Sequence, residues 1–142
     1  MLPEAFLRRT EAQLGAEYPQ FLASLNRPRA VALRFNPLKG SAPSLPFVGE
    51  NVPWESMGYY YDPEARPGKH PYHEAGVYYL QEASAMSAVA LLDPQPGERV
   101  CDLCAAPGGK TTQIAGRMRN EGFLLCNEIN PKRSRILSQN VE

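Results

Sequence analysis

The residues best able to do chemistry lie together in Asp102-Leu103-Cys104-Ala105-Ala106-Pro107-Gly108-Gly109-Lys110-Thr111, directly after the short apolar run that begins at Arg99. Adjacent glycines let a backbone turn sharply and come close to a ligand. A helix starting near Lys110 offers unpaired N–H groups and the positive end of its dipole, a setting for an anionic or carboxylate-bearing group. A second apolar run, Phe123-Leu124-Leu125-Cys126-Asn127-Glu128, ends on a carboxylate 19 residues after Gly109. In nucleoside-binding α/β folds an acid about 20 residues beyond the glycine loop accepts hydrogen bonds from ribose hydroxyls. Glycine loop and Glu128 together predict an adenosine-type ligand across two strand ends. Taken singly, each has a plainer reading, as a tight turn and as a solvated strand end.

A rival reading is a phosphate-binding loop, since Cys104 to Thr111 nearly spells G-x-x-x-x-G-K-S/T. Cys104 stands where that motif needs glycine, and Pro107 removes a backbone N–H from the phosphate cradle. Glu128 has no role in such a site.

The elements that must position this loop follow from spacing. Arg99 to Leu103 reads as a strand, Lys110 to Arg119 as a helix with Ile114, Ala115 and Met118 inward, 123–128 as a second strand, and 131–142 as a helix with Pro131 in its first turn. Strand, glycine loop, helix, strand, helix is the opening of a doubly wound parallel sheet. Two parallel strands do not make a stable open sheet alone, so the chain is expected to be a piece of something longer.

Upstream, residues 2–15 and a segment starting at Tyr18 read as short helices, and Val31, Leu33 and Phe35 alternate with Ala32 and Arg34 as a strand closed by Pro37. Residues 40–75 are broken by prolines, leaving room for one short strand within 54–61. Ser84 to Leu92 reads as a helix with Met86, Val89, Ala90 and Leu92 on its buried stripe. The expected fold class is therefore α/β: a small α+β N-terminal domain over residues 1–75, then the first part of a Rossmann-like domain over 76–142.

Composition narrows the class. Of 142 residues, 43% are hydrophobic and 21% charged, which fits a folded chain with a core and argues against disorder. Fifteen basic and fifteen acidic residues cancel, so no chain-wide field favours nucleic acid. Lys132, Arg133 and Arg135, with Arg117 and Arg119, could contact phosphate, but a solvated helix face is the simpler reading. Tyr59, Tyr60, Tyr61, Tyr72, Tyr78 and Tyr79 could stack on bases, but at this density they more often pack a core.

No apolar run suits a membrane span, and the amphipathic start is no signal peptide. Three cysteines without a secretion signal point to reduced thiols in the cytoplasm. Cys101-x-x-Cys104 has redox spacing, but Cys101 is expected to pack within a buried strand and Cys126 within the core. With His70 and His73 unpaired in spacing, no metal site is assigned.

The motif Cys-Ala-Ala-Pro-Gly-Gly-Lys-Thr after Asp102, with Asn127-Glu128 on the next strand, resembles the Nol/Nop/Sun family of RNA 5-methylcytosine methyltransferases, most nearly its bacterial small-subunit ribosomal-RNA F type. Arg34-Phe35-Asn36-Pro37-Leu38-Lys39 resembles a strand end of that family's N-terminal domain, and Gly76 to Met86 resembles the segment leading into its catalytic domain. The resemblance covers most of the chain. It implies that a Rossmann-like domain binds S-adenosylmethionine, with Cys104, Ala105, Ala106, Pro107, Gly108, Gly109 and Lys110 lining its methionine and ribose side and Glu128 on the ribose hydroxyls.

It further implies RNA, of the ribosomal kind, as partner. Gln81, Glu82 and Ser84 would lie beside the site or cap a helix. Arg34, Asn36 and Lys39 would brace the catalytic domain, contact RNA, or, most simply for Lys39, line a solvated edge. In that family one cysteine adds to carbon 6 of cytosine and a second helps release product. Both lie in later proline–cysteine and threonine–cysteine motifs that do not occur here. No catalytic residue is therefore assigned, Cys104 remains a loop residue, and the chain alone is expected to be inactive.

Overall fold

The structure is a computed structural model and describes residues 2–142. The chain opens with a helical hairpin, α1 (Glu4–Leu14) and α2 (Tyr18–Leu25), closed on itself by a Phe6–Phe21 ring contact at 6.3 Å. Gly15, at a φ of +52°, ends α1 and sends its N–H back to the Glu11 carbonyl.

Four strands follow: β1 (Ala32–Phe35), β2 (Val48–Val52), β3 (Glu55–Tyr61) and β4 (Tyr78–Leu80), with the short α3 (Pro71–Glu74) before β4. They form an antiparallel sheet in the order β2-β3-β1-β4, with Leu33 opposite both Tyr59 and Leu80. All four residues of β1 are buried, because both faces of this central strand are covered. Leu33 and Phe35 face an aromatic core with Tyr78, whose ring meets Phe35 edge-on at 6.1 Å. Ala32 and Arg34 face the other way, towards the second half of the chain.

That half comprises α4 (Ala83–Leu92), β5 (Arg99–Asp102), α5 (Gly109–Met118), β6 (Phe123–Cys126) and α6 (Pro131–Val141). β5 and β6 pair in parallel, Arg99 opposite Phe123 and Asp102 opposite Cys126, as the α/β reading expects. α4 is the shared wall. Its Met86 packs with Ala32 and Val52 of the first sheet, and its Val89 with Ile114 and Met118 of α5. β4 lies beyond residue 75 and yet is an edge strand of the first sheet.

Three sequence expectations are corrected. The prolines of 40–75 do not leave one short strand but a hairpin, β2–β3, whose register shifts twice around Asn51. The Asn51 amide spans the irregularity, donating to the Gly58 carbonyl at 2.8 Å and the Glu55 carbonyl at 3.2 Å. Leu92 does not join Met86 and Val89 inside but is 57% exposed. Cys101 is exposed, not packed, because α5 covers only the Val100–Leu124 face of the parallel pair; Cys101 shares the other face with Phe123 and Leu125. Among the described residues no helix is long and apolar enough to cross a membrane.

Met86 is fully buried between the two halves. Met86→Ala is expected to lower unfolding free energy in urea by about 2–5 kcal/mol; a loss well below that range would mean that α4 is not the common wall. Gly122 adopts a φ of +105°, and a Cβ there would stand 2.3 Å from the Glu98 carbonyl. Gly122→Ala should therefore cost more than about 1 kcal/mol, visible as a lower Tm.

Candidate cofactor-binding site

The loop after β5 is tied at both ends to Asp102. One carboxylate oxygen accepts the Cys104 N–H at 3.3 Å and the other accepts the hydroxyl of buried Thr111 at 2.7 Å. The pairing of β5 with β6 continues past the strand ends. The Asn127 N–H donates to the Asp102 carbonyl at 2.8 Å, the Ala105 N–H to the Asn127 carbonyl at 2.9 Å, and the Asn127 amide to the Leu103 carbonyl at 3.1 Å. These bonds zip the loop onto the neighbouring strand end.

Gly108 has a φ of +118°, where glycine is favoured, and α5 starts at Gly109. The space left by the absent side chains faces protein. A Cβ on Gly108 would lie 3.2 Å from Asn140 Cβ and 3.4 Å from Leu137; one on Gly109 would lie 3.1 Å from the Tyr79 ring. The glycines thus let α6 and Tyr79 close in behind the turn. The Ala106–Pro107 peptide is cis. The side chains of Ala105 and Ala106 pack inward with Leu137, while Cys104, Pro107 and Lys110 are exposed.

Glu128 follows β6. Its carboxylate accepts the Asn130 N–H at 2.9 Å and pairs with Arg133 at 3.2 Å. The same guanidinium donates to the Ala106 carbonyl, so Glu128 and the glycine-rich loop lie within the span of one arginine side chain. The Glu128 side chain is 4% exposed and that of Arg133 52%. Asn130 caps α6, its side-chain oxygen accepting the N–H of Lys132 at 3.0 Å, and Asn140 near the far end donates to the Pro107 carbonyl at 2.7 Å. Arg133 is half exposed, as a solvated helix face implies, and its guanidinium also bridges Glu128 and the loop.

Behind the loop lies a buried polar network. Arg34, 4% exposed, donates to the Gln81 side-chain oxygen at 3.3 Å, the Gly109 carbonyl at 3.1 Å and the Thr112 hydroxyl at 2.8 Å. Gln81 in turn donates to Gln113 at 3.4 Å. Gln113 donates to the Glu55 carboxylate and to the Met86 carbonyl. Arg117 pairs with Glu55 at 3.1 Å and Asp93 at 2.8 Å. Burial lowers the Arg34 pKa to about 10, against the pull of Glu55 and Tyr79. Burial raises the Tyr79 hydroxyl, opposed by the Arg34 charge. Burial likewise raises the Cys126 thiol, helped by the Asp102 charge.

Of the residues singled out upstream, Arg34 and Gln81 reach the loop's rear. Asn36 instead caps the next turn, accepting the Leu38 N–H at 3.0 Å, and its amide donates to the Gly76 carbonyl at 3.3 Å. Lys39 and Ser84 are exposed, and Glu82 pairs on the surface with Arg29 rather than capping α4. Glu55, Thr112 and Gln113 went unnoticed in the sequence; only the polar Gln113 beside Ile114 on an inward helix face was a signal. Two clefts, of about 310 and 370 Å³, run along the seam beside Arg34 and Thr112, away from Glu128.

Comparison with known proteins agrees with this layout. Residues 2–83 match the family model described as the N-terminal domain of 16S rRNA methyltransferase RsmF, and residues 89–142 match that of 16S rRNA methyltransferase RsmB/F. The chain is 41% identical to ribosomal RNA small subunit methyltransferase F of Klebsiella pneumoniae, over 98% of this chain and 32% of that protein. It is 40% identical to the 26S rRNA (cytosine-C(5))-methyltransferase nsun-1 of Caenorhabditis elegans, over 89% of this chain and 20% of that protein. It thus spans a third or less of the length of these relatives.

A methyltransferase homolog from Pyrococcus horikoshii superposes with a TM-score of 0.78 at 29% identity, over 99% of this chain and 54% of that one. NSun6 from the same organism shares the fold alone, with a TM-score of 0.85 at 16% identity over 98% and 62% of the two chains. The small antiparallel-sheet domain, the beginning of a Rossmann-like domain and the match over residues 2–83 lead to one conclusion: this chain belongs to the family described as the N-terminal domain of 16S rRNA methyltransferase RsmF, continuing into a stretch that matches RsmB/F.

Proposed function

We propose that this chain supplies the N-terminal domain and first cofactor-binding motifs of an enzyme that transfers a methyl group from S-adenosylmethionine to carbon 5 of a cytosine in ribosomal RNA. The observation that carries the reading is the Arg133 guanidinium joining the Glu128 carboxylate to the Ala106 carbonyl, which sets an acid beside the glycine turn as a nucleoside site needs.

The residues fit the cofactor. Glu128 Oε1 accepts one hydrogen bond and Oε2 meets Arg133 only as an ion pair, so each oxygen keeps a lone pair for a ribose hydroxyl. Arg133, half exposed, can swing off Glu128 to admit the sugar. The first-turn N–H groups of α5 and the exposed Lys110 ammonium suit the carboxylate of the amino-acid end. Cys104, Ala105, Ala106, Pro107, Gly108 and Gly109 form the backbone ledge between these ends. S-adenosylmethionine supplies the electrophilic sulfonium methyl. The residues of this chain bind and orient it, and residues 76–142 form the start of the binding domain.

Support for cytosine and ribosomal RNA comes from the family resemblance and from the relatives' names. The exposed Lys132 and Arg135 on α6 are available for RNA phosphate. The two catalytic cysteines of the resemblance have no counterpart in this sequence, so the chain binds without turnover.

Calorimetry of the chain with S-adenosylhomocysteine and with ATP–magnesium tests this. The first is expected to bind and the second not; the reverse would establish a phosphate-loop protein. Glu128→Gln should weaken S-adenosylhomocysteine about tenfold, the loss of a hydrogen bond to a charged group. Unchanged affinity would remove Glu128 from the site. Incubation with labelled S-adenosylmethionine and ribosomal RNA should leave the RNA unlabelled, and methylation by this chain would overturn the assignment of the cysteines elsewhere.

A further inference from the structure

We propose that Arg34, a residue of the N-terminal sheet, is a positioning residue of the cofactor site: it fixes and polarises the Gly108–Gly109 and Gly109–Lys110 peptide units, whose N–H groups serve the carboxylate end of the ligand. The proposal rests on the reading of the loop as an S-adenosylmethionine site.

The connection is atom by atom. Arg34 Nη2 donates to the Gly109 carbonyl at 3.1 Å and to Thr112 Oγ1 at 2.8 Å. That hydroxyl, having accepted from the cation, donates its own proton to the Gly108 carbonyl at 2.8 Å. A peptide unit is rigid and conjugated, so the Gly108 carbonyl shares its unit with the Gly109 N–H and the Gly109 carbonyl with the Lys110 N–H. A cation on the carbonyl side draws electron density through the amide and makes the N–H on the far side a stronger donor. Both N–H groups belong to the first turn of α5, where no intrahelical acceptor exists.

A structural brace alone does not explain the charge. A buried guanidinium is costly to desolvate, and a cation beside a helix N-terminus opposes the helix dipole. Arg34 has no carboxylate for a direct partner among the described residues. Glu55, which acts on it through space, is held by Gln113 and paired with Arg117. Its three acceptors are neutral, so its positive field is left to reinforce that of α5 at the loop. A neutral amide could have tied the two halves together; only a cation adds attraction for an anion.

The test compares S-adenosylhomocysteine with 5′-methylthioadenosine, which keeps the adenosine and the sulfur but lacks the amino-acid end. In calorimetry on the chain, Arg34→Met is expected to weaken S-adenosylhomocysteine about tenfold and methylthioadenosine less than about twofold. Thr112→Val, which breaks only the relay, should give a smaller loss with the same selectivity, and it keeps the test available if Arg34→Met does not fold. Equal losses for the two ligands would make Arg34 a brace and overturn the proposal. If the unaltered chain binds neither ligand, the cofactor assignment fails on its own account. The amide-proton resonances of Gly109 and Lys110 still decide the polarisation: they should move upfield in Thr112→Val and further in Arg34→Met, and unmoved resonances would refute it.

Discussion

Burial of the Arg34 guanidinium is the constraint around which the seam between the two halves is arranged. Desolvation by burial lowers its pKa to about 10, so the charge is held at a cost. Such a cost is tolerable only where acceptors are fixed in place, and the three come from two separate parts of the chain: the Gln81 side chain after β4, and the Gly109 carbonyl and Thr112 hydroxyl on α5. Gln81 can serve only because Gln113 orients it, and Gln113 is itself held between Glu55 of β3 and the Met86 carbonyl of α4. Removing one member strands the others in a low-dielectric seam, where an unpaired polar group is far more expensive than a missing apolar contact.

The same seam explains the paired glycines. A glycine loop is ordinarily taken to make room for ligand, yet here the missing Cβ atoms make room for Tyr79, Asn140 and Leu137. Tyr79 stands on β4, two residues before Gln81, so the segment that carries an Arg34 acceptor also presses a ring against Gly109. On the other side Asn140 holds the Pro107 carbonyl and Arg133 the Ala106 carbonyl. The loop is shaped from behind by both halves of the chain, and its front is left to exposed Cys104, Pro107 and Lys110.

What could be read from the sequence was local. The β5–loop–α5–β6 order, the helix start at Pro131 and the position of Glu128 follow from apolar runs and turn residues a few positions apart, and all are found. The strand expected within 54–61 is found as β3, but its partner β2 is not legible because Val48-Gly49-Glu50-Asn51-Val52 does not alternate: its register shifts around Asn51, and the pattern dissolves with it. The polar network escaped because its partners are remote, with Arg34 lying 78 positions before Thr112 and Glu55 62 before Arg117. Periodicity reports which face is buried and is silent about which buried polar groups meet. Cys101 was misplaced for a related reason: an apolar parallel strand is ordinarily covered on both faces, and here one face is bare.

The N-terminal sheet also reaches the loop. β5 and β6 are held from one side only, through Val100 and Leu124 against Ile114, Met118 and Val89, while Phe123 and Leu125 are each 52% exposed. The first turn of α5 has a second anchor in Arg34, set in a central strand whose residues are all buried. The antiparallel domain thus holds the loop directly, through hydrogen bonds to Gly109 and Thr112. A disturbance of β1 should reach the first-turn N–H groups through Gly109 and Thr112 without crossing β5 or β6. The N-terminal domain, on this physical ground, is part of what holds the glycine loop rather than an appendage to it.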